Sequence, residues 1–112
     1  MKLSALDYQV GNLAFKLGSG WRFLGHWTLI KATEFVMEGL SPGEAVVAAA
    51  HEDGLSPATA RKRLSRLIEQ MEKAQTEEYI AFRGDVKKLS PNQLLERLAA
   101  LVKERPENQK KA

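Results

Sequence analysis

Apolar residues recur three or four positions apart along most of the chain. The clearest repeats lie near its two ends: Leu6, Val10, Leu13 and Leu17, and Leu94, Leu95, Leu98, Leu101 and Val102. Side chains at this spacing share one face of an α-helix, whereas the faces of a strand alternate with a period of two. The pattern predicts an all-α protein, with a first helix over about residues 4–17 and a last helix over about residues 91–105.

Three Ser-Pro dipeptides mark the starts of helices, with their serines at Ser41, Ser56 and Ser90. A serine at the cap accepts a hydrogen bond from an unpaired backbone N–H, and a proline in the first turn loses nothing, because its missing N–H would be unpaired there. Glu44 and Gln93 stand three residues after the first and third serines, as a reciprocal capping box requires. We therefore expect helices over residues 42–53, from residue 57 to at least residue 73, and over residues 91–105.

Residues 21–38 are apolar on more than one helical face. Their apolar side chains fall in three stripes: Phe23, Trp27, Ile30 and Met37, then Leu24 and Phe35, then Leu29 and Val36. One neighbouring helix cannot cover three stripes, so we predict a helix that lies centrally or is shared with a second subunit. The preceding Gly18-Ser19-Gly20 is interpreted as a flexible joint, since no strand precedes it and no phosphate-binding motif follows it.

Residues 77–86 allow two interpretations. They could continue or resume the preceding helix with Gly84 as its terminator, or residues 78–83 could be extended and fold back as a small wing. No turn dipeptide precedes Gly84-Asp85, which favours the helix. The whole pattern predicts a small bundle of about five helices in one domain over residues 1–105, followed by a polar, disordered tail over residues 106–112.

Composition narrows the class of protein. The 112 residues include 44% hydrophobic residues and no cysteine, which excludes disulfides, thiolate catalysis and the usual structural zinc sites. No window reaches the roughly 18 uncharged apolar residues of a membrane span, and no long apolar run follows Lys2. We expect a cytoplasmic protein without a membrane partner.

The basic residues are concentrated in one short segment. The net charge is only +3, but four of the six residues at positions 61–66 are basic and none is acidic. They stand near the start of a predicted helix, where the helix dipole disfavours cations. A solvated face offset by Glu69 and Glu72 is one explanation, but the placement against the dipole favours an anionic partner.

Residues 43–71, with the sequence GEAVVAAAHEDGLSPATARKRLSRLIEQM, resemble the helix-turn-helix superfamily of DNA-binding domains. In that motif a tight turn joins a short helix to a recognition helix, a glycine takes the positive-φ position, and a small residue lies where the helices touch. Gly54 matches the turn, Ala50 the contact and Leu55 the apolar residue after the glycine, whereas Arg63 stands where the family usually has an apolar residue. The resemblance implies a motif over about residues 41–72 that binds duplex DNA.

The recognition helix has one apolar and one polar face. The residues expected to be buried are Ala60, Leu64, Leu67, Ile68 and Met71. On the opposite face, Thr59, Lys62 and Arg66 are candidates for contacts with base edges. Candidates for phosphate contacts are Arg61, Arg63 and Ser65, together with the backbone N–H groups at the helix starts near Ser41 and Ser56.

The sequence offers little for catalysis or for metal binding. His26 and His51 lie on different predicted helices, and neither has a second ligand at the spacing of a metal motif. No nucleophile has a base at hand. We therefore expect no enzyme activity, no catalytic residue, no metal and no cofactor.

The prediction is a sequence-specific, double-stranded-DNA-binding protein that regulates transcription as a homodimer. The dimer is inferred from the apolar surface of the second and last helices, which exceeds what a short chain readily buries alone. The alternative is a helical assembly or adaptor protein, an accessory factor in DNA packaging, partitioning or conjugation, in which the same helix binds a protein partner.

Overall fold

The computed structural model describes residues 3–104, which form six α-helices. Their bounds are α1 Ala5–Lys16, α2 Gly25–Met37, α3 Pro42–Glu52, α4 Pro57–Ala74, α5 Glu77–Arg83 and α6 Pro91–Glu104. The described part of the chain contains no strand, so the all-α prediction is confirmed. The expected disordered tail at residues 106–112, and residue 105 of the expected last helix, lie outside the described residues.

Serine side chains cap the helices that begin at the three Ser-Pro dipeptides, as the sequence predicts. Both expected capping boxes form: Ser41 accepts from the backbone N–H of Glu44, and Ser90 accepts from that of Gln93, with each partner side chain accepting in return. Ser56 caps α4 by accepting from the backbone N–H three residues on, at 3.1 Å. These bonds satisfy N–H groups that have no partner inside the helix.

Helix α2 lies at the centre of the molecule, where it packs against α1, α3, α4 and α6. This position confirms the expectation drawn from its several apolar faces. The apolar face of α6 is buried against other helices of the same chain; its buried residues are Leu94, Leu95, Leu98, Ala99 and Val102. One chain thus buries most of the surface from which the homodimer was inferred, and that surface no longer requires a second subunit.

The start of α2 was predicted wrongly. The helix begins at Gly25 instead of Trp21, because the backbone turns over residues 20–24, where Phe23 N–H donates to the carbonyl of Gly20 at 3.0 Å. The side chains of Trp21 and Leu24, which extended the apolar pattern, are 54% and 70% exposed. Apolar periodicity alone therefore placed the helix start too early, since no capping residue marks it.

Residues 18–20 lie in the connection between α1 and α2, as the interpretation of a joint predicts, but this connection packs against the core. Ser19 and Gly20 are buried, and the Ser19 hydroxyl is hydrogen-bonded to Nδ1 of His26 at 2.5 Å. His26 itself is 1% exposed, and burial lowers its pKa because the charged imidazolium is poorly solvated there. This contact fixes the turn between α1 and α2 against the core.

The count of about five helices is corrected to six. Gln75 adopts a left-handed conformation at φ +47° and ends α4, and its side-chain amide donates to the carbonyl of Glu72 at 2.7 Å. Thr76 then caps α5 by accepting from the N–H of Tyr79. Residues 77–83 therefore resume as a separate helix, and the wing interpretation does not hold. No helix within residues 3–104 is both long and apolar enough to cross a membrane.

Candidate nucleic-acid interface

A tight turn fixes α4 relative to α3. Gly54 has a φ of +69°, which favours glycine because it has no Cβ. The N–H of Leu55 donates to the carbonyl of Ala50 at 2.9 Å, and the N–H of Gly54 donates to that of His51 at 3.2 Å. This pair of bonds is a Schellman ending, and Leu55 packs against the core beside it. The direction in which α4 leaves the turn is set by local backbone bonds.

Helix α4 buries the stripe that the sequence predicts. Its buried residues are Ala60, Leu64, Leu67, Ile68 and Met71. They pack against α2, α3 and α6, so the opposite face of α4 points away from the core. Thr59, Lys62, Ser65 and Arg66 are exposed on that outward side. Four of the predicted site residues thus share an accessible surface.

The remaining predicted site residues lie at the edges of this surface. Arg61 is exposed, and its Nη2 lies 3.5 Å from the position that a Cβ on Gly43 would occupy, beside the start of α3. Arg63 is half-buried and lies on the other edge. We define the α4 face as the seven residues Ser56, Thr59, Arg61, Lys62, Arg63, Ser65 and Arg66.

Ser56 and Thr59 form a small hydrogen-bonded unit at the start of α4. The Ser56 hydroxyl accepts from the N–H of Thr59 and donates to Thr59 Oγ1 at 2.9 Å. Its side chain is therefore committed to the cap. The Thr59 hydroxyl, by contrast, accepts from Ser56 and keeps its own proton available for an external acceptor such as a base edge or a phosphate oxygen.

The cations of the α4 face are unpaired. Within residues 3–104, the side chains of Arg61, Lys62, Arg63 and Arg66 make no hydrogen bond and no ion pair. Elsewhere in the chain, by contrast, the Arg83 guanidinium binds Glu72 at 3.0 Å. The positive charge of the α4 face is thus not neutralised within the described chain. Glu69, one turn beyond Arg66, limits the face to the first three turns of the helix.

A basic groove runs along the Arg63 edge of the α4 face. It lies between residues 21–24 and α4, encloses about 290 Å³, and is lined by Arg22, Arg63, Arg66 and Gln70 around an apolar floor. Sequence reasoning missed Arg22 because it placed this residue inside a helix. Gly25 is the one signal in the sequence, since a glycine inside an otherwise apolar helical pattern marks a position where another backbone can approach closely.

Two buried carboxyl groups form a separate cluster that joins α1 to α2. Lys31 Nζ lies 3.0 Å from Glu34 Oε1 and 3.9 Å from Asp7 Oδ1. Burial raises the pKa of Glu34 to about 7, and its hydrogen bond lowers the pKa of Asp7. The two carboxyl groups and Lys31 link two helices of the core.

The α4 face differs from this cluster because its charges are exposed and unpaired. Within residues 3–104, no three His, Asp or Glu side chains converge where they could hold a metal ion, and His51 is exposed on α3. The α4 face and its groove are therefore the best candidate for a binding site in the described chain. No family model, no curated protein and no solved structure matches this chain.

Proposed function

We propose that the protein binds duplex DNA sequence-specifically and regulates transcription, with α3, the turn and α4 acting as a helix-turn-helix. The observation that carries this proposal is the α4 face, whose four cations are unpaired within residues 3–104. Lys62 and Arg66 lie on the side of α4 opposite its buried stripe, and Arg61 and Arg63 lie at the edges of that side. Unpaired cations on one accessible surface are the electrostatic footprint expected of a protein that binds a polyanion.

The dimensions of α4 suit the major groove. A helix with its side chains is about 10–12 Å across, close to the roughly 12 Å width of the groove in B-form DNA. Thr59, Lys62 and Arg66 are spaced to share one line along α4 and are exposed there. The Arg66 guanidinium can donate two parallel hydrogen bonds to O6 and N7 of guanine. The Lys62 ammonium group can donate to the same acceptors as a compact charge.

Phosphate contacts would position this helix. Arg61 lies beside the start of α3, while Arg63 lies on the opposite edge of α4, so the two guanidinium groups flank the line of base-reading residues. Ser65 is exposed between them. Contacts at both edges fix the register of a recognition helix without reading the sequence.

A homodimer remains part of the proposal, although burial within the chain no longer demands one. Three exposed aromatic residues offer an interface on α1 and the turn before α2: Tyr8, Phe15 and Trp21. A two-fold dimer presents its paired helices to successive major grooves about 34 Å apart, which requires a palindromic site.

The proposal is tested by selecting bound duplexes from a random library at physiological salt. The proteins compared are the wild type, Lys62→Ala/Arg66→Ala, and the control Lys87→Ala/Lys103→Ala, which removes the same charge from exposed positions outside the α4 face. We expect the wild type and the control to enrich one motif that the α4 variant loses, since each base contact contributes about 1–3 kcal/mol of discrimination.

Binding of duplexes by all three proteins without an enriched motif would contradict the proposal. Any basic helix retains DNA of unrelated sequence through its charge alone. That outcome would move the interpretation to the assembly or adaptor protein, in which the α4 face contacts an acidic protein surface.

A further inference from the structure

The groove beside α4 exists because α2 begins in direct contact with the backbone of α4. A Cβ on Gly25 would lie 2.7 Å from the carbonyl oxygen of Arg63 and 3.4 Å from Cβ of Leu67. Only a residue without a side chain allows this approach. The turn at residues 21–24, immediately before Gly25, is consequently held against the Arg63 edge of the α4 face.

This contact brings together arginines that are far apart in the sequence. Arg22 from the turn joins Arg63 and Arg66 from α4 around one groove, and none of the described residues that line it is acidic. The Arg22 guanidinium carbon lies 4.9 Å from the centre of the Phe23 ring, which supports the side chain on the wall of the groove. Three guanidinium groups without a counter-charge select an anionic occupant.

The floor of the groove restricts the occupant further. Its apolar lining includes Leu24, which is 70% exposed, and the buried Leu67. A sugar–phosphate backbone matches this lining, since it alternates anionic phosphates with deoxyribose rings that have apolar faces. The groove is also continuous with the α4 face, because Arg66 belongs to both.

We propose that this groove holds the sugar–phosphate backbone of one DNA strand at the edge of the major groove, with Arg22 and Arg63 bound to its phosphates. The proposal rests on the proposed function, because it assumes that α4 enters the major groove. Arg61, beside the start of α3, contacts the backbone at the other edge. Arg22 is thus a positioning contact outside the helix-turn-helix segment.

The test is the salt dependence of binding by Arg22→Gln, measured by fluorescence anisotropy on the duplex selected by the wild type. Loss of one phosphate contact reduces the slope of log Kd against log salt by about 0.9, hence by about 1.8 when both chains of the proposed homodimer carry the substitution. We expect roughly threefold to tenfold weaker binding at physiological salt with an unchanged sequence preference. Lys103→Gln removes the same charge from α6, and Arg22→Lys keeps the charge; both should retain the wild-type slope.

The possible outcomes separate failure of the groove proposal from failure of the proposed function. If Arg22→Gln and Lys103→Gln have equal slopes while Lys62→Ala/Arg66→Ala loses the motif, the groove proposal is overturned and the proposed function stands. If Arg22→Gln changes the selected motif, Arg22 does not act through phosphates alone and the assignment fails. If the wild type selects no duplex, both proposals fail together.

A free phosphate compound is the competing occupant of the groove. Titration of the wild type with inorganic phosphate in the absence of DNA, followed by nuclear magnetic resonance, tests for it. Saturable binding that Arg22→Gln abolishes, combined with an unchanged salt slope on DNA, would assign the groove to a small phosphate ligand and overturn the proposal. Thermal unfolding verifies that the variant is folded, which is expected because Arg22 is exposed.

Discussion

At the scale of single residues, Glu34 is the side chain whose ionisation most affects the core. It is 7% exposed, and its neighbour Asp7 is 4% exposed. Burial raises the pKa of Glu34 from 4.5 to about 7, whereas the hydrogen bond from Glu34 lowers the pKa of Asp7 below 3.8. Between pH 4.5 and pH 7, Glu34 therefore keeps its proton in the folded protein, whereas in the unfolded chain it has already released it.

We expect ionisation of Glu34 to lower the free energy of unfolding as pH rises from 4.5 to 7, by at most about 3 kcal/mol. His26 acts in the opposite direction below its unfolded pKa of 6.5, because burial lowers its pKa and the unfolded chain holds the extra proton. The contribution of Asp7 is complete above its unfolded pKa of 3.8 and stays constant over this range. Urea unfolding at pH 5 and pH 8 measures the change. Glu34→Gln, which mimics the protonated acid, should remove the contribution of Glu34 and so raise the stability at pH 8 relative to that at pH 5, while the exposed control Glu38→Gln should retain the wild-type dependence; equal pH dependence in both variants would contradict the assignment.

At the scale of elements, the contact between the start of α2 and α4 is set by one missing side chain. Gly25→Ala places a Cβ 2.7 Å from the carbonyl oxygen of Arg63 and 3.2 Å from its carbonyl carbon, and backbone atoms cannot yield without moving α4. Alanine improves helix propensity by about 1 kcal/mol, but the steric overlap outweighs it. We expect a net destabilisation of roughly 1–3 kcal/mol in urea unfolding.

Gly43→Ala is the matched control, because Gly43 also stands in the first turn of a helix. Its Cβ would meet only the flexible end of Arg61, at 3.5 Å, so this variant should keep the stability of the wild type or exceed it. Equal stabilities of the two variants would show that the start of α2 does not lie against the backbone of α4.

The helix boundaries show which features could be predicted from the sequence and which could not. The caps at Ser41, Ser56 and Ser90 and the buried stripe of α4 were predicted correctly, because each depends on residues within a few positions along the chain. The start of α2 and the break at Gln75 were not predicted. No capping residue marks the start of α2, and at the end of α4 it is Gln75, not a glycine, that takes the left-handed conformation.

At the scale of the whole molecule, the proposed homodimer predicts the mass of the complex with DNA. We expect two chains on one palindromic duplex in sedimentation equilibrium, with the exposed aromatic residues of α1 at the interface. Tyr8→Gln/Phe15→Gln should then bind a half-site as a monomer, since these side chains are 55% and 68% exposed in the single chain. Ile80→Gln, an exposed apolar residue on α5, is the control. One wild-type chain per duplex would contradict the dimer.

The sequence by itself determined that the fold is all-α, where the helices that follow the three Ser-Pro dipeptides begin and which side of α4 is exposed. These features follow from hydrogen bonds and periodicity within about four residues. Only the tertiary structure decided that Arg22 lies beside Arg63, that Ser19 is buried against His26, and that Glu34 meets Asp7. Each of these contacts joins separate elements, so it depends on how the helices pack and not on neighbours along the chain.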